Sequence, residues 1–271
     1  MKHAVRGITV PAALALLAGA AWGQVAKPLQ KCPPDSVVSG TVCMDTYEAS
    51  VWRVPNATTT NKALVAKIQQ GKATAADLAA GGARQLGISF PPDYGPCGAS
   101  GQNCADDIYA VSLPGVRPSA SITWFQALAA CKNARKRLPS NAEWQVAAAG
   151  TPDPGPDNGT TDCNTNSVFS RVNTGSRSSC KSARGAFDMV GNLDEWVADW
   201  VTRSTTCGSW SAAASPTADA QCLTGAATAG GPGALLRGGD VASGPAAGPL
   251  AVNGSIQPLG ASSDFGFRCA R

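Results

Sequence analysis

Gly185-Ala186-Phe187-Asp188-Met189-Val190-Gly191-Asn192-Leu193-Asp194-Glu195-Trp196 is the stretch whose reading decides the fold of this chain. Gly191-Asn192 marks a tight turn, and Glu195-Trp196 sets a carboxylate beside a large apolar anchor. Two ordered blocks lie upstream. Ile122-Thr123-Trp124-Phe125-Gln126-Ala127 runs on to Cys131, and Lys136-Arg137-Leu138-Pro139-Ser140-Asn141-Ala142-Glu143-Trp144 follows it. Downstream come Arg237-Gly238-Gly239 and Gly266-Phe267-Arg268-Cys269-Ala270-Arg271. Trp124, Leu128 and Cys131 share one helical face, so residues 121–132 are expected to be a helix. Ser140 caps a second helix, with Glu143 three residues on as in a capping box, and that helix ends near Gly150. Leu235 to Gly239 reads as a strand entering a tight turn. Phe265 to Cys269 alternates with period two, as a terminal strand does.

In this order and spacing the blocks resemble the formylglycine-generating enzyme (sulfatase-modifying factor) family, with K-R-L-P-x-x-A-E-W, G-x-x-D-M-x-G-N-x-x-E-W and R-G-G…G-F-R-C. The resemblance covers most of residues 32–271, least well over 53–118, which is read as a variable insertion. It implies an α+β, C-type-lectin-like fold of that family's type, with little regular secondary structure and structural calcium. The implied calcium ligands are Asn192 and Glu195 in the G-N-x-x-E-W segment and Asn164 in the loop after Cys163. Asn and Glu supply the hard oxygens that calcium takes.

Between the blocks the expectations are plainer. Val37-Val38 and Thr41 to Met44 read as short strands joined by a Ser39-Gly40 turn, with Tyr47 and Trp52 packing into the core. Residues 61–70 and 75–80 read as helices, the second capped by Thr74 with Asp77 reaching back. Residues 81–119 read as a surface excursion, and 151–186 and 202–233 as loops. Trp124, Trp144, Trp196 and Trp200 are expected as buried anchors, and Arg137 with Glu143 as an ion pair.

The amino terminus carries Lys2, His3 and Arg6 before an apolar run from Ile8 to Ala21, then Ala21-Trp22-Gly23. This reads as a signal peptide over 1–23, cleaved before Gln24, with a linker over 24–31 and one domain over 32–271. The product is expected to be exported, periplasmic or extracellular, with no membrane span after cleavage. The chain has 22 basic and 18 acidic residues. Losing Lys2 and Arg6 brings these closer still, and nothing points to nucleic acid. His3 is the single histidine. Its removal leaves no imidazole for a catalytic triad, a metal site or a general base.

Ten cysteines in an exported chain are read as disulfides. Short spacings pair Cys32–Cys43, Cys97–Cys104, Cys163–Cys180 and Cys207–Cys222. Cys131 and Cys269 remain to join distant segments, a pairing that the resemblance also supports. No C-x-x-C occurs, which argues against zinc.

The resembled enzyme oxidises a sulfatase cysteine with copper held by two cysteines lying between R-G-G and G-F-R-C. Here that stretch, Asp240 to Phe265, contains no cysteine. Copper and formylglycine synthesis are therefore not expected. Asp240 and Asp264 are its only carboxylates, and Asp240 is the one weak catalytic candidate, with a turn role as the plainer reading. Gln257-Pro258-Leu259 lacks the third ligand of a calcium-dependent sugar site. Two functions stay open. One is a non-catalytic binding or scaffold module whose protein or peptide ligand lies in a groove around Asp240 to Phe265. The other is a cysteine-independent oxidase or maturation enzyme of the periplasmic, siderophore-maturation type.

Overall fold

The computed structural model describes residues 31–271 apart from 90, 92, 216 and 228. The signal peptide expected over 1–23 and all but residue 31 of the linker lie outside the described residues. The first strands, β1 (Ser36–Ser39) and β2 (Val42–Asp45), form an antiparallel hairpin around Gly40. Then β3 (Ala49–Arg53) pairs with β4 (Arg84–Leu86) and β5 (Ile108–Ser112) on its two sides. Helices α1 (Lys62–Gln69) and α2 (Ala75–Ala80) fill the crossover, the second held by a Thr74/Asp77 capping box. Residues 53–118, read as a variable insertion, pack into the fold through β4, β5 and the two helices. All five residues of β5 are buried, and so is the Cys97–Cys104 bridge. The surface excursion expected over 81–119 is corrected by that burial: the Gly- and Pro-rich composition describes its turns, while Ile108 to Ser112 is apolar enough to be a central strand.

Helices α3 (Trp124–Asn133) and α4 (Asn141–Ala148) follow, each opened by a capping box, Thr123 with Gln126 and Ser140 with Glu143. The second sheet has the order β11-β6-β9-β10-β8-β7. Its members are β6 (Asp194–Val201), β7 (Thr206–Ser209), β8 (Ala220–Thr224), β9 (Gly233–Arg237), β10 (Val252–Asn253) and β11 (Phe265–Phe267). The loop expected over 202–233 thus holds a β7–β8 hairpin, clipped by Cys207–Cys222.

The two ends of the domain close on each other. Cys43 N–H donates to the Arg271 carbonyl at 3.0 Å, and Arg271 N–H returns a bond to Cys43 at 2.9 Å. The Cys131–Cys269 bridge ties α3 to the same C-terminal segment across 138 residues. In the entropy model a loop of this length constrains the unfolded chain by about 4–5 kcal/mol. The other bridges join Cys32 to Cys43 and Cys163 to Cys180, so all ten cysteines are paired.

Trp144 and Trp196 are fully buried. Trp200 is not: it is 44% exposed and leans edge-on against Trp124 and Phe125 at centroid distances of 5.0 and 5.8 Å. It lies past the irregularity in the pairing of β6 with β9, where the strand has left the buried layer. Tyr47 and Trp52 are half-buried. Among the described residues no helix is long and apolar enough to cross a membrane.

Candidate functional site

The G-N turn is set by crowding. Gly191 lies at φ +70°, and a Cβ there would sit 2.4 Å from the Asn164 carbonyl oxygen. That carbonyl accepts the Asn192 N–H at 2.8 Å, so loop 151–186 is stitched to the start of β6. The structure brings Asn164 and Asn192 together, Asn164 Nδ2 donating to Asn192 Oδ1 at 3.2 Å. Asn192 Oδ1 also receives the Val172 N–H at 2.8 Å, and Asn192 Nδ2 donates to buried Glu48 at 2.5 Å. Asn164 Oδ1 faces Arg177 Nη2 at 3.5 Å. Glu195 takes the Nε and Nη2 edge of Arg268 on Oε1 at 2.9 and 2.6 Å, while Oε2 accepts from Trp144 Nε1 at 2.7 Å.

A calcium ion asks for oxygens that face a void, free of N–H donors. Here the side-chain oxygens of Asn164, Asn192 and Glu195 all face donors. The Val172 N–H fixes the Asn192 amide, since a flipped amide would set two donors against each other. As placed, this donor set does not fit calcium. Among the described residues no group of three or more His, Cys, Asp or Glu side chains is arranged to hold a metal. A copper thiolate site does not fit either, because every cysteine is in a disulfide.

Asp240 sits in a turn. Its Oδ1 accepts from Ala242 N at 2.8 Å and Ser243 Oγ at 2.9 Å. This is the side-chain-capped geometry that Asp favours in loops. Its neighbour Asp194, at the head of β6, accepts from Gly239 N at 3.1 Å. Burial, reinforced by the Asp240 charge and then Asp264, holds the Asp194 carboxyl well above the ordinary range.

Two small cavities border parts of the segment from Asp240 to Phe265, and other segments supply most of their lining. Val241 and Ser263-Asp264, near the two ends of that segment, border a cavity of about 130 Å³. Arg117, Phe169, Ser170 and Arg171 complete it. Phe169 is 79% exposed at the rim. Arg117 Nη2 donates to Ser170 Oγ at 3.0 Å, and Arg171 Nη1 donates to the Ser263 carbonyl at 3.1 Å. Burial, then the Arg117 charge beside it, pulls the Arg171 guanidinium below its ordinary value. Farther along the segment, Pro258 and Leu259 meet Phe125 and Trp200 in a shallow apolar hollow of about 190 Å³. Sequence reasoning missed Arg117, Phe169 and Arg171. The one available signal was the apolar pair Val168-Phe169 inside an otherwise polar loop.

The sulfatase-modifying factor enzyme 1-like domain family matches residues 46–271. The serine/threonine-protein kinase Pkn1 of Chlamydia trachomatis serovar L2 is 37% identical over 89 residues, covering 31% of this chain and 14% of that protein. The pkn1 kinase of Chlamydia caviae is 34% identical over 85 residues, with 31% and 14% covered. The chain thus spans 14% of the length of these curated relatives. Among solved structures, the Major Tropism Determinant U1 variant aligns over 88% of this chain and 54% of its own, at 16% identity and a TM-score of 0.45. PvdO from Pseudomonas aeruginosa aligns over 87% and 82%, at 18% identity and a TM-score of 0.41. Likenesses this distant carry no functional argument.

Proposed function

The chain belongs to the sulfatase-modifying factor enzyme 1-like family, and from that premise we propose that it is an exported, non-catalytic binding module. Its ligand enters the pocket between Arg117, Arg171 and Asp264. The observation that carries this reading is the lining of that pocket. It offers two guanidiniums, one carboxylate and an exposed phenylalanine, with no thiol or imidazole. Arginine stays protonated, so it positions an anion and does not exchange protons with it. The five disulfides and the basic-then-apolar leader support export.

A cysteine-independent oxidase or maturation enzyme is the second reading. The carboxyl of Asp194, held by burial and by Asp240 and Asp264 above its ordinary value, favours it, because perturbed acids gather at active sites. The deciding measurement is oxygen uptake by disulfide-intact protein offered a thiol or a catechol. No uptake above the protein-free rate is expected. Uptake proportional to protein and lost in Asp194→Asn would replace the module with the enzyme.

A further inference from the structure

We infer that Asp153 and Asp219 form a pH-sensitive latch, a carboxyl pair that shares one proton through the Thr217 hydroxyl and opens once both acids are ionised. The latch joins three segments. Asp153 lies in the loop after α4, and Thr217 and Asp219 lie in the connection from β7 to β8. Asp219 also holds Leu250, on the way from β9 to β10.

A count of protons carries the inference. The Thr217 hydroxyl meets Asp153 Oδ2 and, at 3.0 Å, Asp219 Oδ1. A hydroxyl has one proton to give, so it serves one of these carboxyls. The other makes a bond there only by bringing a proton of its own. Asp219 is buried and already supplied with donors: Oδ1 also takes the Ser215 hydroxyl, and Oδ2 takes the Leu250 N–H at 2.7 Å. The charge of Arg237, on β9, acts on it as well. Asp153 has no such supply. Its Oδ1 is buried without a donor among the described residues, and it forms no ion pair among them. A buried carboxylate oxygen without a donor is costly, and a neutral acid asks less of it. The extra proton therefore belongs to Asp153, which donates to Thr217 while Thr217 donates to Asp219.

The electrostatics agree in direction. Burial, against the pull of the Thr217 hydroxyl and with the Asp219 charge beside it, holds the Asp153 carboxyl up to about 6. An acid raised in the folded state contributes fully below its unfolded value near 3.8, and the contribution is lost as pH rises through about 6. Above that, two like charges face each other across one hydroxyl and repel.

The test is amide hydrogen exchange on the disulfide-intact chain at about pH 5 and about pH 7.5, corrected for the intrinsic rate. Residues 151–157, residues 215–219 and the Leu250 amide should lose about tenfold in protection at the higher pH. Asp153→Asn carries N–H donors at every pH, so it should stay protected at both. Asp153→Ala should be open at both. Asp188→Asn removes another buried acid that titrates in this range, and it should leave the response of these segments intact. Carbon-13 NMR of the Asp153 carboxyl needs no variant, and its midpoint is expected at about 6. A midpoint near the ordinary value of 3.8, protection that does not change with pH, or a parent-like response in Asp153→Asn would overturn the latch. Protection restored at the higher pH by added calcium would overturn it too, because the pair would then be a cation site.

Discussion

Arg268 and Arg171 present the same guanidinium edge in opposite circumstances. Arg268 is wholly buried, and its Nε and Nη2 meet Glu195 while the Phe187 and Asp45 carbonyls take its remaining protons. Arg171 borders a cavity and has one anchor, and its Nε is buried without an acceptor among the described residues. The first arrangement joins the terminal strand β11 to β6 and to the opening hairpin, so its charge serves the fold. The second leaves hydrogen-bonding capacity unspent. A buried guanidinium in a folded chain is stable when every donor is satisfied from within.

Breaking the first arrangement should have the largest effect. Arg268→Gln or Glu195→Gln leaves an uncompensated buried charge, and a loss of about 3–5 kcal/mol is expected in denaturant unfolding. Replacing both partners with apolar residues of similar volume should recover much of that. A single-variant loss below about 1 kcal/mol would show that the pair is not the closure of the fold. The next effect comes from Asp188, which lies against the same guanidinium. Burial pushes its carboxyl up to about 7, against the pull of Gly175 N–H and Arg268. Buried Asp45 is pushed up to about 6 despite its bond to Lys136. A carboxyl raised in the folded state binds more protons there than in the unfolded chain. Its share of stability is therefore complete below the unfolded value near 3.8 and is lost as pH rises through 6 and 7. Stability should rise by about 1–2 kcal/mol between pH 7.5 and 5.5, and Asp188→Asn should flatten most of that slope. Asp188 holds φ +58°, which asparagine tolerates. A stability that falls over this interval would contradict the assignment.

The sequence disclosed the two arginines unequally, for a physical reason. Arg268 follows β11 directly, between Phe267 and Cys269 in a segment the sequence marked as a terminal strand, and it is wholly buried. The capping boxes at Thr74 and Ser140 were legible likewise, because cap and partner are three residues apart. Arg171 lies in an irregular loop, and its environment is assembled from Arg117, Val241 and Asp264, which are distant in sequence. No period or spacing encodes such a meeting. Trp200 fails in the same way: its composition says core, but the irregular pairing of β6 turns it outward. Lys136 is a further case that no local pattern marks. It belongs to the short basic run from Arg135 to Arg137, and it is buried between Asp35 and Asp45 at 2.6 Å from each. Asp240 shows the turn geometry that was its plainer reading, with Oδ1 accepting from Ala242 N and Ser243 Oγ.

Arg171→Gln should lie at the small end for stability, within about 1 kcal/mol of the parent, because it removes a desolvated charge that has no ion partner. Its consequence belongs to binding, and a loss comparable to that of Arg268→Gln would erase the contrast between the two sites. The smallest effect expected is that of a chelator. Glu195 accepts from Arg268 and Trp144, and Asn192 from Val172 and Asn164. Internal donors thus fill the places where the family resemblance put a cation. A ligand that stabilises the folded state raises the melting midpoint in proportion to the logarithm of its concentration over Kd. With no such ion bound at these residues, excess chelator should leave the midpoint unchanged, and added calcium should not raise it. A midpoint that drops on chelation and returns with calcium would require the Asn164–Asn192 contact to open, and would move the comparison from two arginines to a metal and an arginine.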